Sequence, residues 1–165
     1  MSEALGARSE ERDLLGGFLE WYRAVVTHKV DGLSLDQASR VMTPTGLSPL
    51  GIVKHLALVE RDWFRWTFAG EDVELPDVGE DNAPTFTIEP GDTVDAVLKM
   101  YGDDSRQAQR ITEAAPSMDT LSVREASWYG HVTLRWVLVH MLEETARHVG
   151  HLDVMREHID GTTGD

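Results

Sequence analysis

The stretch Val139-His140-Met141-Leu142-Glu143-Glu144-Thr145-Ala146-Arg147-His148-Val149-Gly150-His151-Leu152 decides how this chain folds. Its apolar residues recur three and four apart and it contains no proline, which predicts a helix. On that helix His140, Glu144, His148 and His151 are spaced by four, four and three, so they stack on one face. A polar row of metal-binding residue types thus runs beside the apolar set Leu138, Met141, Leu142, Thr145, Val149, Leu152 and Met155. A lone helical histidine is usually a hydrogen-bonded core or surface residue. Glu144 and His148 together are different. A carboxylate and an imidazole one turn apart reach a single divalent cation, and a third ligand from a neighbouring helix would complete a site with open positions.

Upstream, Leu15, Leu19, Tyr22 and Val26 keep the helical period in a first helix from about Ser9 to Val30, with Gly32 as its stop. Ser34 with Gln37 three residues on predicts a capping box that opens a short helix through Arg40, and Thr43-Pro44-Thr45-Gly46 reads as a turn. Ser48-Pro49 opens a second helix reaching about Phe68, closed by Gly70. Its expected core side is Leu50, Val53, Leu56, Ala57, Trp63 and Thr67. Glu71 to Gly91 holds Pro76, Pro84 and Pro90 and little helical period, so it is a long connection, pinned by Phe86 and Ile88; loops of that length tend to be functional or disordered. A third helix, capped by Asp92 or Thr93, runs to Pro116. Leu121 to Val132 is a second irregular stretch, and Thr133 caps a fourth helix reaching about His158, ahead of the polar tail Gly161 to Asp165. The expected fold is all-α, a four-helix bundle with a short extra helix and two long loops, in a single domain over residues 1–165.

The 29 acidic residues outnumber the 15 basic ones for a formal charge of -14. That balance argues against nucleic acid, whose phosphates need clustered Lys and Arg, and toward small-molecule or protein partners. Cysteine is absent. There are then no disulfides, thiolate ligands or cysteine nucleophiles, and any metal rests on His, Asp or Glu. Met1 to Glu11 is polar, without the apolar core of a signal peptide, and no run approaches the roughly 20 apolar residues of a membrane span. The expectation is a cytoplasmic protein with no membrane partner.

Bundle cores commonly hold metals between facing helices. His55 is the only histidine of the second helix, about two turns in, deep enough to meet the middle of the fourth. With Glu144 and His148 it supplies the third ligand. Two imidazoles and one carboxylate suit zinc, and also nickel, iron or manganese. A ferritin-like di-iron site needs Glu-x-x-His on each of two helices, and the protease motif His-Glu-x-x-His is missing too, so a single metal is expected. His151, one turn beyond His148, is placed to orient a ligand, line the substrate cavity or face a loop, and the expectation is that it supports a ligand or the structure. His140 is expected to be buried and hydrogen-bonded, His28, His131 and His158 to be loop or helix-end residues, and Glu143 and Arg147 to be solvated or salt-bridged. Trp63, Trp66, Trp128 and Trp136 are core candidates, and Trp66, eleven residues from His55 and on its face, admits a tryptophan as one wall of the pocket.

With those residues in place, the chain resembles the DinB superfamily of four-helix metalloproteins, and within it the branch of mycothiol-dependent S-transferases and the mycothiol-dependent maleylpyruvate isomerase. The resemblance is carried by Gly51-Ile52-Val53-Lys54-His55-Leu56 and by Glu144-Thr145-Ala146-Arg147-His148-Val149-Gly150-His151, and covers nearly the whole chain. Many superfamily members place histidine four residues before the second ligand of the fourth helix; this branch is similar in placing glutamate there, as Glu144. By that match the metal ligands are His55, Glu144 and His148. The resemblance implies a metal that activates a low-molecular-weight thiol, mycothiol, for transfer to a small electrophile, in a homodimer. The isomerase carries an additional C-terminal domain, whereas this chain stops just after its fourth helix, so a stand-alone S-transferase is expected. The same ligands also permit a hydrolase using metal-bound water. A non-enzymatic, stress-associated dimeric metalloprotein is a third reading.

Overall fold

Helices form wherever the apolar period and the caps ask for them. In the computed structural model, which describes residues 10–77 and 83–164, they are α1 (Glu11–Val30), α2 (Leu35–Ala38), α3 (Pro49–Glu60), α4 (Ala83–Phe86), α5 (Val94–Ala114) and α6 (Leu134–Asp160). The expected helix start at Ser9, the charged segment before it, the middle of the long connection at 78–82 and Asp165 lie outside the described residues. Among the described residues no strand forms, and the second irregular stretch is reduced to one isolated bridge between Leu121 and Thr133 and a 3-10 turn, Ser127–Tyr129. Ser34 and Gln37 make the capping box of α2, Ser48 caps α3 from the residue before its first-turn proline, and Thr133 caps α6. Of the two candidates for α5 it is Thr93 that accepts a backbone N–H, from Ala96, while Asp92 pairs with Lys54 at 2.8 Å. Among the described residues no helix is long and apolar enough to cross a membrane.

The second helix departs from its expected form. It continues from α3 as a π-helical segment, Arg61–Phe68, and at its end the Ala69 N–H donates to the carbonyl of Phe64, five residues back rather than four. A π turn takes up more residues than an α turn. Trp66 therefore lags behind the face of His55, and its ring lies against the Arg124 guanidinium at 3.7 Å. Gly70 ends the segment with φ +71, and a Cβ there would also strike Val123. The chain at 123–124 closes on this end, the N–H groups of Val123 and Arg124 donating to the carbonyls of Phe68 and Thr67.

α1 packs along α6 and α3 along α5, and contacts of α3 with α6 and of α1 with α5 close the bundle. The interior divides into two apolar clusters. One gathers Val26, Val30, Leu50, Val53, Leu56, Val97, Val149 and Leu152; the other gathers Leu19, Phe64, Phe68, Ala108, Leu134, Val137 and Met141. Each long helix crosses from one to the other through a polar residue: Arg23 on α1, Glu60 on α3, Asp104 on α5 and Thr145 on α6, all buried. At that level Arg23 grips Glu60 with two parallel bonds, Nε to Oε1 at 2.7 Å and Nη2 to Oε2 at 2.5 Å. Beside them Arg61 and Arg65 both donate to Asp104. Burial disfavours the Arg23 charge, but Glu60 more than reverses this, so the guanidinium holds its proton more tightly than usual.

Removing one member of a buried pair strands the other's charge, which typically costs about 3–5 kcal/mol. Arg23→Ala, which leaves the buried Glu60 without its cation, should lose about that much stability by urea unfolding, and Glu60→Ala should lose less, because Glu20 still pairs with Arg23. Lys99→Ala, which breaks an exposed pair with Asp103, should be indistinguishable from wild type in the same measurement.

Candidate metal centre

The proline-free α6 carries Glu144 and His148 one turn apart on the side facing α3, and α3 brings His55 to meet them. Nε2 of His55 lies 3.1 Å from Oε1 of Glu144, and Nε2 of His148 lies 3.2 Å from the same oxygen. One ligand atom from each residue falls within 4.8 Å of the other two. Bonds of about 2.0–2.1 Å in tetrahedral geometry put ligand atoms about 3.3 Å apart. Two nitrogens and one oxygen within these limits would suit a single small divalent cation.

Both imidazoles are held from behind. Nδ1 of His55 is 2.8 Å from the Thr85 hydroxyl, and the Phe86 ring stacks on the imidazole at 3.9 Å and 15°. Thr85 and Phe86 belong to α4, the short helix within the long connection, and α4 reaches α3 because Gly51 stands one turn before His55. A Cβ at Gly51 would run into the Phe86 carbonyl oxygen. Lys54 pins the exit of α4 by donating to the Thr87 carbonyl at 2.8 Å. Nδ1 of His148 meets Nδ1 of the exposed His151 at 3.3 Å. With both Nδ1 atoms engaged outward, both Nε2 atoms face the carboxylate, the arrangement that fixes ring orientation in metal sites.

Hydrogen bonds from His148 and then His55 hold the Glu144 carboxyl well below the usual carboxylate range. Burial pushes His55 down, against the pull of Glu144. Burial lowers His151 as well, with the neighbouring His148 adding to it.

His140 departs from the buried, hydrogen-bonded role expected of it. Its side chain is 29% exposed, with Glu143 no closer than 3.9 Å, and its ring sits between Trp63 at 4.7 Å and Trp136 at 5.1 Å. The tryptophans on the His140–Glu144 face are thus Trp63 and Trp136, continued by Tyr129 on Trp136 at 4.9 Å, and Trp66 is elsewhere. The Nδ1–H of His131 donates to the Ser122 carbonyl at 2.8 Å, and Arg147 pairs with Glu143, with Glu144 a further 3.8 Å contact. Three residues that sequence reasoning did not single out lie in or beside the site. Thr85 and Gly51 orient His55. Asp62 lines the cleft of about 120 Å³ beside it, together with Leu58, Val59, Leu75, Pro76 and Thr85. The helical spacing of Asp62 from His55 was the one available signal, since residues seven apart share a face.

The family model described as mycothiol-S-transferase matches residues 14–161. No curated protein matches the chain.

The pH dependence of the metal-free protein follows from the shifts. His55 binds a proton less readily in the fold than in the unfolded chain, where the ordinary value is 6.5; its contribution is present above that pH and is lost as pH falls through it. Glu144, also depressed, acts in the same sense but only below the ordinary carboxylate value of 4.5. The urea midpoint of metal-free protein should therefore drop between about pH 7.5 and pH 5.5, and His55→Gln should shrink that drop; an undiminished drop in the variant would assign the effect to other groups.

Proposed function

Because the chain belongs to the mycothiol-S-transferase family, we propose that it joins mycothiol through its sulfur to a small electrophile, with one divalent metal ion, zinc foremost, held by His55, Glu144 and His148. The observation that carries this reading is the convergence of two imidazole Nε2 atoms on one oxygen of Glu144. A divalent ion bound there supplies Lewis acidity, lowering the pKa of a coordinated thiol so that thiolate is available near neutrality. The protein's own residues do the rest. Glu144 stays ionised across the physiological range, offsetting part of the cation's charge. Thr85 and His151 keep the two imidazoles turned inward. Phe86 covers one face of the His55 ring and shields it from water.

No side chain of this chain has to act as the nucleophile, in agreement with the absence of cysteine. The thiol gives its proton to solvent and its sulfur forms the new bond to carbon, while the bond from that carbon to the leaving group breaks and the leaving group departs with the electron pair, or, for an activated double bond, the π electrons shift away and take up a proton from solvent. The cleft bounded by Leu58, Val59, Leu75 and Pro76 offers the electrophile an apolar wall next to His55.

The test combines metal content with product analysis. Protein reconstituted with zinc, nickel or manganese should hold about one ion per chain, and Glu144→Ala should abolish this. Mass spectrometry should then find a thioether adduct of mycothiol with disappearance of thiol in step with the electrophile. Release of acid from an ester or amide without thiol consumption would replace S-transfer by hydrolysis, and wild-type protein that takes up no metal would remove both. Thr85→Ala should weaken metal binding by about 10–100-fold, the usual effect of losing a partner behind a ligating histidine, as read by competition with a chromophoric chelator.

A further inference from the structure

Asp62 has a carboxylate without a counter-charge, in the cleft next to His55. His55, Leu58, Val59 and Asp62 fall at i, i+3, i+4 and i+7, and all four line that cleft, across from Leu75, Pro76 and Thr85. Apart from the imidazole and the Thr85 hydroxyl the other walls are apolar. The Thr67 hydroxyl donates to Oδ1 of Asp62 at 3.2 Å. The two residues are five apart, the repeat of the π-helical segment they share, so the unusual winding is what brings this hydroxyl to the carboxylate.

The contrast with other acids is informative. Asp104, buried, receives both Arg61 and Arg65, and Asp92 receives Lys54. Arg61 adjoins Asp62 in sequence and Arg65 lies three residues on, yet both turn to Asp104. Among the described residues no lysine or arginine pairs with Asp62. Burial pushes its carboxyl up, against the pull of the Thr67 hydrogen bond.

We infer that Asp62 is a specificity-determining residue of the transferase proposed above, and that the cleft takes an electrophile bearing a short aliphatic stem that ends in a primary ammonium. The stem lies on Leu58, Val59, Leu75 and Pro76, and the ammonium reaches the carboxylate. A cation is favoured over an uncharged donor because only a cation offsets a negative charge that aliphatic walls leave poorly solvated. The cleft is small, so it holds this end of the electrophile and leaves the reactive carbon nearer His55.

Two measurements separate this inference from the S-transferase reading on which it rests. The first needs no turnover: ligand-observed NMR titration of metal-reconstituted protein with n-propylammonium and, in parallel, n-propanol. Propylammonium should bind wild type, and Asp62→Asn should weaken it at least about tenfold, the usual scale for a charged hydrogen bond, with propanol unchanged between the two proteins. Should the asparagine variant prove unstable, Asp62→Ser reads the same loss. The second compares transfer to an amine-bearing electrophile and its uncharged isostere. Asp62→Asn should raise KM for the amine at similar kcat and leave the isostere unaffected. Absence of ammonium binding to wild type, equal binding to wild type and variant, or an equal fall of kcat for both electrophiles would each overturn the assignment. If wild type transfers no thiol at all, the S-transferase reading fails while the titration still decides the role of Asp62.

Discussion

The buried bond between Arg23 and Glu60 is the constraint around which the bundle is arranged. An apolar contact tolerates sliding, because one methyl group serves as well as another. A fully buried carboxylate facing a buried guanidinium does not, since a shift of one helical turn would leave the Glu60 charge unpaired in a medium that cannot solvate it. The pair ties α1 to α3, and the Arg61–Asp104–Arg65 group beside it ties the start of the π segment to α5. α6 crosses the same level at Thr145. Register along the bundle is thereby defined at one height, and the heights of the remaining residues follow from it. His55 lies five residues before Glu60, and Glu144 immediately precedes Thr145. The two ligand-bearing helices are brought into step by charges that take no part in the site.

Around that level the long connection completes what the helices begin. A helix can present an imidazole but leaves its rotation to whatever packs behind it. For His55 that support comes from Thr85 and Phe86, delivered by a helix of four residues, which is too short to form alone. α4 exists because α3 gives it a place to dock. The missing side chain at Gly51 lets backbone approach backbone, and Lys54 fastens the exit. The aromatic rings Trp63, Trp136 and Tyr129 play a different part, forming a continuous surface with His140 one turn from Glu144.

What could be read in the sequence was what depends on local order. Ser34, Ser48, Thr93 and Thr133 act as caps because a hydroxyl ahead of a helical run satisfies a free N–H wherever it occurs. The ligand row of α6 followed from spacing, and His55 from being the only histidine on the facing helix. What escaped depends on tertiary approach. Nothing in Arg61–Phe68 distinguishes a π from an α winding, so the phase of Trp66 was misjudged while that of Asp62, at the segment's start, was not disturbed. The role of Gly51 is visible only when Phe86 is placed over it. His140 was assigned a hydrogen-bonded interior because polar rings usually need one, but two indole faces and partial exposure meet that need instead.

The contact between His55 and Glu144 joins residues 89 apart, and it does so across the seam between the two helix pairs, α1 with α6 and α3 with α5. In a chain without cysteine no covalent link closes that loop. The site is accordingly a cross-link between distant segments of the folded chain, and unlike a disulfide it does not persist to restrain the unfolded one. Its members are titratable, so the cohesion of the two halves responds to protons and, on the proposed function, to the cation held between them.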